Sequence, residues 1–152
     1  ARELLAAFVG ELDPGRRILF AASELGGAKP ALLAREYGVD EGAARMSMTV
    51  QTYHANGHGI CHGGIIFTLA DSAFAFACNS YNQLAVAYQN SITYAAPGMK
   101  DDVLTATAIE VSKTGRSGIY DVTITNQKGE ALAHFRGHSR TIKGTHFTEN
   151  EA

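Results

Sequence analysis

The stretch IIFTLADSAFAFACNS, residues 65–80, is apolar on nearly every side of the helix that its length and composition favour. A helix that is apolar all round is buried on all sides. Four segments of strand-like composition follow it, each ending at a turn signal. They are LAVAYQNSITYAA (84–96), DVLTATAIEVSK (102–113), SGIYDVTITN (117–126) and EALAHFRGHSRTI (130–142).

One further strand is predicted before the helix, because RMSMTVQ (45–51) places Met46, Met48 and Val50 on one face. Short links favour hairpins, so we expect the four later strands to be antiparallel neighbours in chain order. The predicted fold is α+β: one long central helix wrapped by a curved, mainly antiparallel sheet of five to six strands. We expect a single domain over residues 1–152, with a helical region at about 1–27 and the core at about 42–142.

Composition excludes several classes of function. The net charge of −2 gives no electrostatic case for nucleic acid or membrane binding. No apolar run approaches the roughly 20 residues of a membrane span. The two cysteines make no disulfide framework, and a reducing cytoplasm is the expected location.

The segment HANGHGICHGGIIFTLAD (54–71) contains three histidines at four-residue intervals, which suggests a metal site. The glycines between them disfavour a helix that would align the histidines, and the spacing lacks a usual zinc frame. Solvated loop histidines are the plainer interpretation. A phosphate loop is a second alternative, but no lysine follows Gly63-Gly64 as that motif requires.

A third interpretation uses the start of the buried helix. The backbone N–H groups of Gly63 and Gly64 lack intrahelical partners there, and a glycine lets a substrate approach the backbone closely. Such amides stabilise the oxyanion of a tetrahedral acyl-transfer intermediate. The alternative is that these glycines only allow close packing of the helix on the sheet.

Asp71 favours the catalytic interpretation. It lies in the middle of the apolar run, where a buried carboxylate is costly unless it is paired, and no basic residue lies within one turn. A carboxylate in such surroundings is more often functional. The structural alternative is an exposed Asp71 that faces a gap in the sheet.

Asn56, His62-Gly63-Gly64 and Asp71 occur in an order that resembles the hotdog-fold acyl-CoA thioesterases of the phenylacetic acid degradation type. The segments NGHGICHGG and LADSAFAFACNS carry the resemblance, which continues through ITYAAPGMKDDVLTATA and KTGRSGIYDVTITNQKG to FRGHSRTI. It covers about residues 42 to 142.

This resemblance implies hydrolysis of acyl-CoA thioesters with an aromatic acyl group of the phenylacetyl type, ring-hydroxylated forms included. Asp71 would be the catalytic carboxylate, and the Gly63 amide would polarise the thioester carbonyl. His62 and Asn56 would position the substrate or the attacking water. No metal or other cofactor is implied, because coenzyme A is part of the substrate and product.

The same resemblance implies a coenzyme A site and an assembly. The basic turn between two strands and the end of an earlier strand would contact coenzyme A, with Gly64 beside them. These residues are Tyr94, Ala95, Ala96, Pro97, Lys113, Thr114, Gly115, Arg116 and Ser117. The expected assembly is a homodimer joined edge to edge, and two dimers would form a homotetramer.

Helix geometry independently predicts a shared site. Gly63 and Asp71 are eight residues apart, so they lie about 12 Å apart along one helix. One thioester cannot contact both groups of one chain, because reacting atoms must approach to about 3 Å. Two alternatives to the thioesterase remain: a hotdog acyl-CoA hydratase or dehydratase, and an acyl-CoA-binding sensor without catalysis.

Overall fold

The computed structural model describes residues 41–146, and the predicted helical region at 1–27 lies outside them. A strand precedes one long helix and four strands follow it. The elements are β1 (Ala43–Thr49), α1 (Gly63–Asn79), β2 (Ala85–Tyr94), β3 (Val103–Thr114), β4 (Ser117–Thr125) and β5 (Ala131–Thr141). A short 3-10 turn, Thr52–His54, lies in the loop between β1 and α1. The predicted α+β architecture is therefore confirmed.

The five strands form one antiparallel sheet in the order β1-β3-β4-β5-β2. The hairpins β3–β4 and β4–β5 match the prediction, but the expectation that β2 neighbours β3 was wrong. β1 occupies the outer edge of β3, with Ala43 opposite Ile109 and Thr49 opposite Val103. β2 instead pairs with β5 at one edge of the sheet, and residues 95–102 carry the chain across to β3, which lies beside the opposite edge strand β1.

The helix α1 packs across the inner face of the sheet. Its side chains at Leu69, Ala70, Ala73 and Ala77 are fully buried. Phe74 contacts the rings of Tyr120 and Phe135 in the same core. Phe74 and Phe76 are buried in this core, and the partly buried Phe67 packs against it on the ring of Phe135. This packing holds α1 at a fixed position relative to every strand.

The side of α1 that faces away from the sheet is less covered. Thr68 is exposed, and Asp71 and Ser72 are half-buried. The edge strand β2 is also open, with Val86, Tyr88 and Tyr94 each about half exposed. Within residues 41–146, no helix is long and apolar enough to cross a membrane.

Candidate active site

The loop before α1 is a small hairpin that fixes Asn56. Ala55 and Cys61 form an antiparallel bridge, and Asn56 N–H donates to Ile60 O at 2.8 Å. The side-chain oxygen of Asn56 accepts from His58 N–H at 2.9 Å, an Asx-turn contact. Its side-chain NH₂ has no partner among residues 41–146. Asn56 therefore offers a fixed hydrogen-bond donor.

His62 is the N-cap of α1. Its Nδ1 accepts from the Gly64 N–H at 2.9 Å, which satisfies one of the free amides at the helix start. Because Nδ1 is an acceptor here, the neutral ring carries its proton on Nε2. The side chain is exposed, so this N–H is available to a ligand. Gly64, predicted to bind substrate, has its own amide occupied by this cap.

Gly63 keeps its amide free. No residue of the described part of the chain accepts a hydrogen bond from Gly63 N–H, although its neighbours Gly64 and Ile65 both donate to His62. The Tyr94 hydroxyl donates to Gly63 O at 2.8 Å. A Cβ added at Gly63 would lie 3.0 Å from the Tyr94 ring. Both interpretations of Gly63 therefore hold: it allows close packing against Tyr94, and its amide is a free hydrogen-bond donor.

Residues 94–97, predicted to contact coenzyme A, lie beside this helix start. The amides of Ala95 and Ala96 both donate to Leu132 O, at 2.8 and 3.1 Å. Cys61 N–H donates to Gly98 O at 2.8 Å, which ties the segment to the hairpin loop. The structure thus places residues 94–97 near His62 and Gly63.

Asp71 lies two turns further along α1 and is held by β2. Asn90 Nδ2 donates to Asp71 Oδ1 at 2.8 Å. Burial raises the pKa of the Asp71 carboxyl above its usual value, and the Asn90 hydrogen bond partly offsets that rise. The side-chain oxygen of Asn90 is buried without a partner among the described residues. Asp71 is therefore half-buried rather than exposed in a gap, and no cation of residues 41–146 pairs with it.

Asn90 was not among the residues predicted from the sequence. It is 19 residues from Asp71, so no local spacing joins them. One signal was present in the sequence. Asparagine is rare inside strands, yet Asn90 shares one face of β2 with Ile92 and Tyr94. A polar residue at such a position needs a partner on the helix below.

The hydrogen bonds from β2 to α1 show how far apart the Gly63 amide and the Asp71 carboxylate lie. Tyr94 bonds to Gly63 and Asn90 bonds to Asp71, four strand residues apart. Four residues of a strand span about 13 Å, close to the roughly 12 Å expected along the helix. One chain therefore holds the amide donor and the carboxylate at separate places.

The basic turn at 113–117 lies at the other end of the sheet. Arg116 O accepts from Thr141 N–H, and Thr141 pairs with Ala85 at the start of β2. Five strand residues separate Ala85 from Asn90, about 17 Å, whereas nine separate it from Tyr94, about 30 Å. Within one chain, the turn is therefore closer to Asp71 than to Gly63.

Side chains of this turn have local partners. The Arg116 guanidinium donates to Thr141 O through Nε and Nη2, at 3.1 and 2.9 Å. Lys113 Nζ lies 3.5 Å from the centre of the Tyr81 ring. Gly115 has a φ of +58°, which the tight turn requires, and nothing lies within 4 Å of its Cβ position. Both cations nevertheless remain exposed.

Other candidates lie away from these groups. The outer face of the sheet has a shallow depression of about 310 Å³, lined by Ser91, Thr93, Asp121, Val122, Thr123, His134, Phe135 and Arg136. In this depression the Arg136 guanidinium donates two hydrogen bonds to the Asp121 carboxylate, both 2.6 Å, so its charge is already paired. None of the predicted catalytic residues lines this depression.

The cysteines do not form a nucleophilic site. Cys61 and Cys78 are free thiols, and both are buried. Burial raises the pKa of Cys61 to about 11 and that of Cys78 to about 12, so neither is a thiolate at neutral pH. In the described part of the chain, no three His, Cys, Asp or Glu side chains come close enough to hold a metal ion.

Comparison with known proteins shows the family to which this chain belongs. The sequence profile of the Thioesterase superfamily matches residues 58–133. The acyl-coenzyme A thioesterase PaaI of Escherichia coli is 48% identical over 107 residues, which cover 70% of this chain and 76% of that protein. The matched residues 58–133 include His62, Gly63 and Asp71, whereas Asn56 lies just before them.

Two solved structures are also similar. The E. coli PaaI protein from the phenylacetic acid degradation operon superposes with a TM-score of 0.69 and 44% identity, covering 75% of this chain and 86% of that one. A Streptococcus mutans protein solved with acetyl-CoA bound has a TM-score of 0.67 and 29% identity, covering 70% and 85%. The chain belongs to the thioesterase superfamily. It is an enzyme of that class with the hotdog fold.

Proposed function

We propose that this enzyme hydrolyses acyl-CoA thioesters to a free acid and coenzyme A. The observation that carries the proposal is the pair formed by a free helix-start amide at Gly63 and a half-buried carboxylate at Asp71. The first suits a developing oxyanion, and the second suits a nucleophile or general base. The relative from E. coli is an acyl-coenzyme A thioesterase, and the S. mutans neighbour was solved with acetyl-CoA.

The proposed reaction adds one water across the thioester. The oxygen attacks the carbonyl carbon, and Gly63 N–H stabilises the negative charge that forms on the carbonyl oxygen. When the intermediate collapses, the C–S bond breaks and the sulfur leaves with the proton that Asp71 took from water. If Asp71 attacks directly instead, the C–S bond breaks as a mixed anhydride forms and coenzyme A leaves as a thiolate. Water then cleaves the anhydride to the free acid and the Asp71 carboxylate, and the proton that this releases goes to the thiolate. In both routes Asp71 must begin as a carboxylate.

His62 and Asn56 have supporting roles in this proposal. The Nε2–H of His62 and the side-chain NH₂ of Asn56 are donors whose other ends are fixed by the helix cap and the Asx turn. Fixed donors orient a bound carbonyl without paying for their own ordering. The basic turn at 113–117 supplies cations for the phosphates of coenzyme A.

The acyl group that we propose is aromatic, of the phenylacetyl type and including ring-hydroxylated forms. Support comes from the similar protein of the E. coli phenylacetic acid degradation operon. We also propose a homodimer with shared sites, assembled into a homotetramer. A cytoplasmic location fits the two free cysteines, which persist in reducing compartments.

A thiol-release assay tests the function. Purified enzyme is given phenylacetyl-CoA, a ring-hydroxylated analogue and straight-chain acyl-CoAs of similar size, and free coenzyme A is measured with a thiol reagent. We expect release with all thioesters and the highest kcat/KM with the aromatic ones. A preference for straight chains would contradict the aromatic assignment, and no release from any would contradict the function.

The same assay separates the alternatives. A hydratase or dehydratase would change the acyl chain of an enoyl-CoA or hydroxyacyl-CoA without releasing thiol. A sensor would bind acyl-CoA without turnover, so binding by calorimetry with no thiol release would support that class instead.

A further inference from the structure

The amide of Asn90 is paired on one side only. Its Nδ2 donates to Asp71 Oδ1 at 2.8 Å. Its Oδ1 is buried, and within residues 41–146 it is the one buried side-chain oxygen or nitrogen that lacks a hydrogen-bond partner. Buried polar atoms in folded proteins are nearly always paired, so an unpaired acceptor beside a reactive carboxylate points to a ligand that donates to it.

The carboxylate fixes the orientation of this amide. An ionised carboxylate only accepts hydrogen bonds, so the NH₂ of Asn90 and not its oxygen must face Asp71. Turning the amide over would place two acceptors 2.8 Å apart. The hydrogen bond that holds Asp71 therefore also holds the Asn90 oxygen at a fixed place beside it.

One water can reach both side chains. The oxygen and nitrogen of an amide are about 2.2 Å apart, because both are bonded to one trigonal carbon. With the 2.8 Å hydrogen bond added, Asn90 Oδ1 lies within about 5.0 Å of Asp71 Oδ1. Two hydrogen bonds of about 2.8 Å from one water span about 4.6 Å at the tetrahedral angle. The two acceptors therefore match the two O–H groups of a single water.

We propose that Asn90 is a catalytic residue, and that its side-chain oxygen and the Asp71 carboxylate together hold the attacking water. One O–H of the water donates to Asp71, and the other donates to Asn90 Oδ1. A lone pair of the water oxygen is then left to attack the thioester carbon. This inference rests on the proposed function, and it selects the route in which water rather than Asp71 attacks.

Protons and electrons balance along this route. As the water oxygen bonds to the carbonyl carbon, Asp71 takes one proton, and the carbonyl oxygen gains the negative charge that the Gly63 amide stabilises. The second proton stays on the attacking oxygen and donates to Asn90. Collapse breaks the C–S bond, and the sulfur leaves with the proton held by Asp71. The second proton leaves when the product acid ionises, so Asp71 is again a carboxylate.

The pH dependence of kcat separates the two ends of the Asn90 amide. Its NH₂ lowers the pKa of Asp71 and so sets the acidic limb. Its oxygen should act on the plateau above that limb, where Asp71 is fully ionised. Cys78 on α1 also interacts with Asp71, but burial raises the pKa of Cys78 to about 12, so this thiol stays neutral up to pH 8.

Asn90→Ala and Asn90→Leu test the role of the oxygen, with Gln89→Ala as the control. We expect the plateau kcat to fall at least about tenfold in both, the loss of one hydrogen bond, while KM changes little. Leucine fills the space without an acceptor, so no second water can replace the amide oxygen there. A shifted acidic limb with an unchanged plateau in both variants would overturn the proposal.

Methanol as a competing nucleophile separates water binding from a structural effect on the site. Methanol has one O–H, which Asp71 can accept, and a methyl group in place of the second O–H. Asn90→Ala should therefore lose acid formation but keep methyl ester formation, which raises the ester-to-acid ratio about tenfold. Equal loss of both products would overturn the proposal and leave Asn90 a structural role.

The unmodified enzyme keeps this result separate from the proposed function. Hydrolysis by the unmodified enzyme together with an unchanged plateau in the Asn90 variants would reject the role of Asn90 and keep the function. No thiol release by the unmodified enzyme from any acyl-CoA would reject the function and the role of Asn90 with it.

Discussion

Asn90 on the edge strand donates a 2.8 Å hydrogen bond to the carboxylate of Asp71 in the middle of the central helix. This contact fixes one carboxylate oxygen, and the other has no hydrogen-bond partner within the described part of the chain. It also partly offsets the rise in the Asp71 pKa that burial causes. The contact lies at the open edge of the sheet, where a second chain can complete a site.

Asp71→Asn should lower kcat on the order of 10³-fold, because the amide neither takes a proton from water nor attacks a thioester. Steady-state thiol release measures the loss, and circular dichroism checks the fold. The matched control is Asp101→Asn, on an exposed loop with φ of +71°, a conformation that asparagine tolerates. Turnover of Asp71→Asn at the control's rate would remove Asp71 from the mechanism.

The same substitution should leave the free energy of unfolding at pH 7 unchanged or raised. Burial raises the folded pKa of Asp71 above the unfolded value, so its ionised form opposes folding. The contribution of Asp71 to stability is therefore greatest below the unfolded pKa and is lost as pH rises through the folded pKa. Urea unfolding at pH 5 and pH 7 tests this, and a large loss of stability at pH 7 would contradict it.

Asn90→Ala should move the acidic limb of the kcat profile to higher pH. The hydrogen bond from Asn90 lowers the Asp71 pKa, so its loss leaves burial unopposed and the carboxylate protonates more easily. The profile is measured between about pH 3 and pH 8, a span that includes the ordinary aspartate pKa of about 3.9 and the range above it. Gln89→Ala, on the adjacent exposed residue, is the control. An Asn90→Ala profile that coincides with it would show that Asn90 does not tune Asp71.

Gly63→Ala should lower kcat by about 10²-fold, because misplacing groups by about 1 Å costs that much. The new methyl would lie 3.0 Å from the Tyr94 ring, so the ring or the helix start must shift. Gly57→Ala is the control, since nothing lies within 4 Å of its Cβ position. Equal activity of the two variants would mean that the position of the Gly63 amide does not limit turnover.

Arg116→Glu should raise KM for acyl-CoA roughly tenfold at low ionic strength, and by less at high salt where screening weakens the charge. The kcat should stay close to that of the unmodified enzyme, because the turn lies far from the reacting bond. Lys128→Glu, at the opposite end of the sheet, controls for net charge. A KM independent of Arg116 would place the phosphates elsewhere.

Much of the fold follows from local patterns. The apolar run before Asp71 predicts the buried helix, and alternation predicts β1 at Met46 and Met48. The pairing of β2 with β5 could not be predicted in this way, because strand order depends on which edge is already occupied. Here β1 pairs with the outer edge of β3, so β2 cannot pair there. The sequence of β2 itself contains no signal of this.

The proposed active site likewise has parts that local sequence predicts and parts that depend on the tertiary structure. Gly63 and Asp71 stand out locally, as a helix start with free amides and as a carboxylate in an apolar run. The Asn90–Asp71 and Tyr94–Gly63 contacts join positions 19 and 31 residues apart, so they required the tertiary structure. The hydrogen bonds that hold the His62 ring and the Asn56 side chain in place likewise depend on the helix cap and the Asx turn, which the sequence alone did not predict.

Subunit complementation tests the shared site most directly. Asp71→Asn chains keep Gly63, and Gly63→Ala chains keep Asp71, so a mixed dimer has one site with both groups intact. Co-expression in equal amounts should restore about a quarter of the unmodified activity, since half of the dimers are mixed and each has one intact site. A mixture no more active than the average of the two single variants would contradict a site built from two subunits.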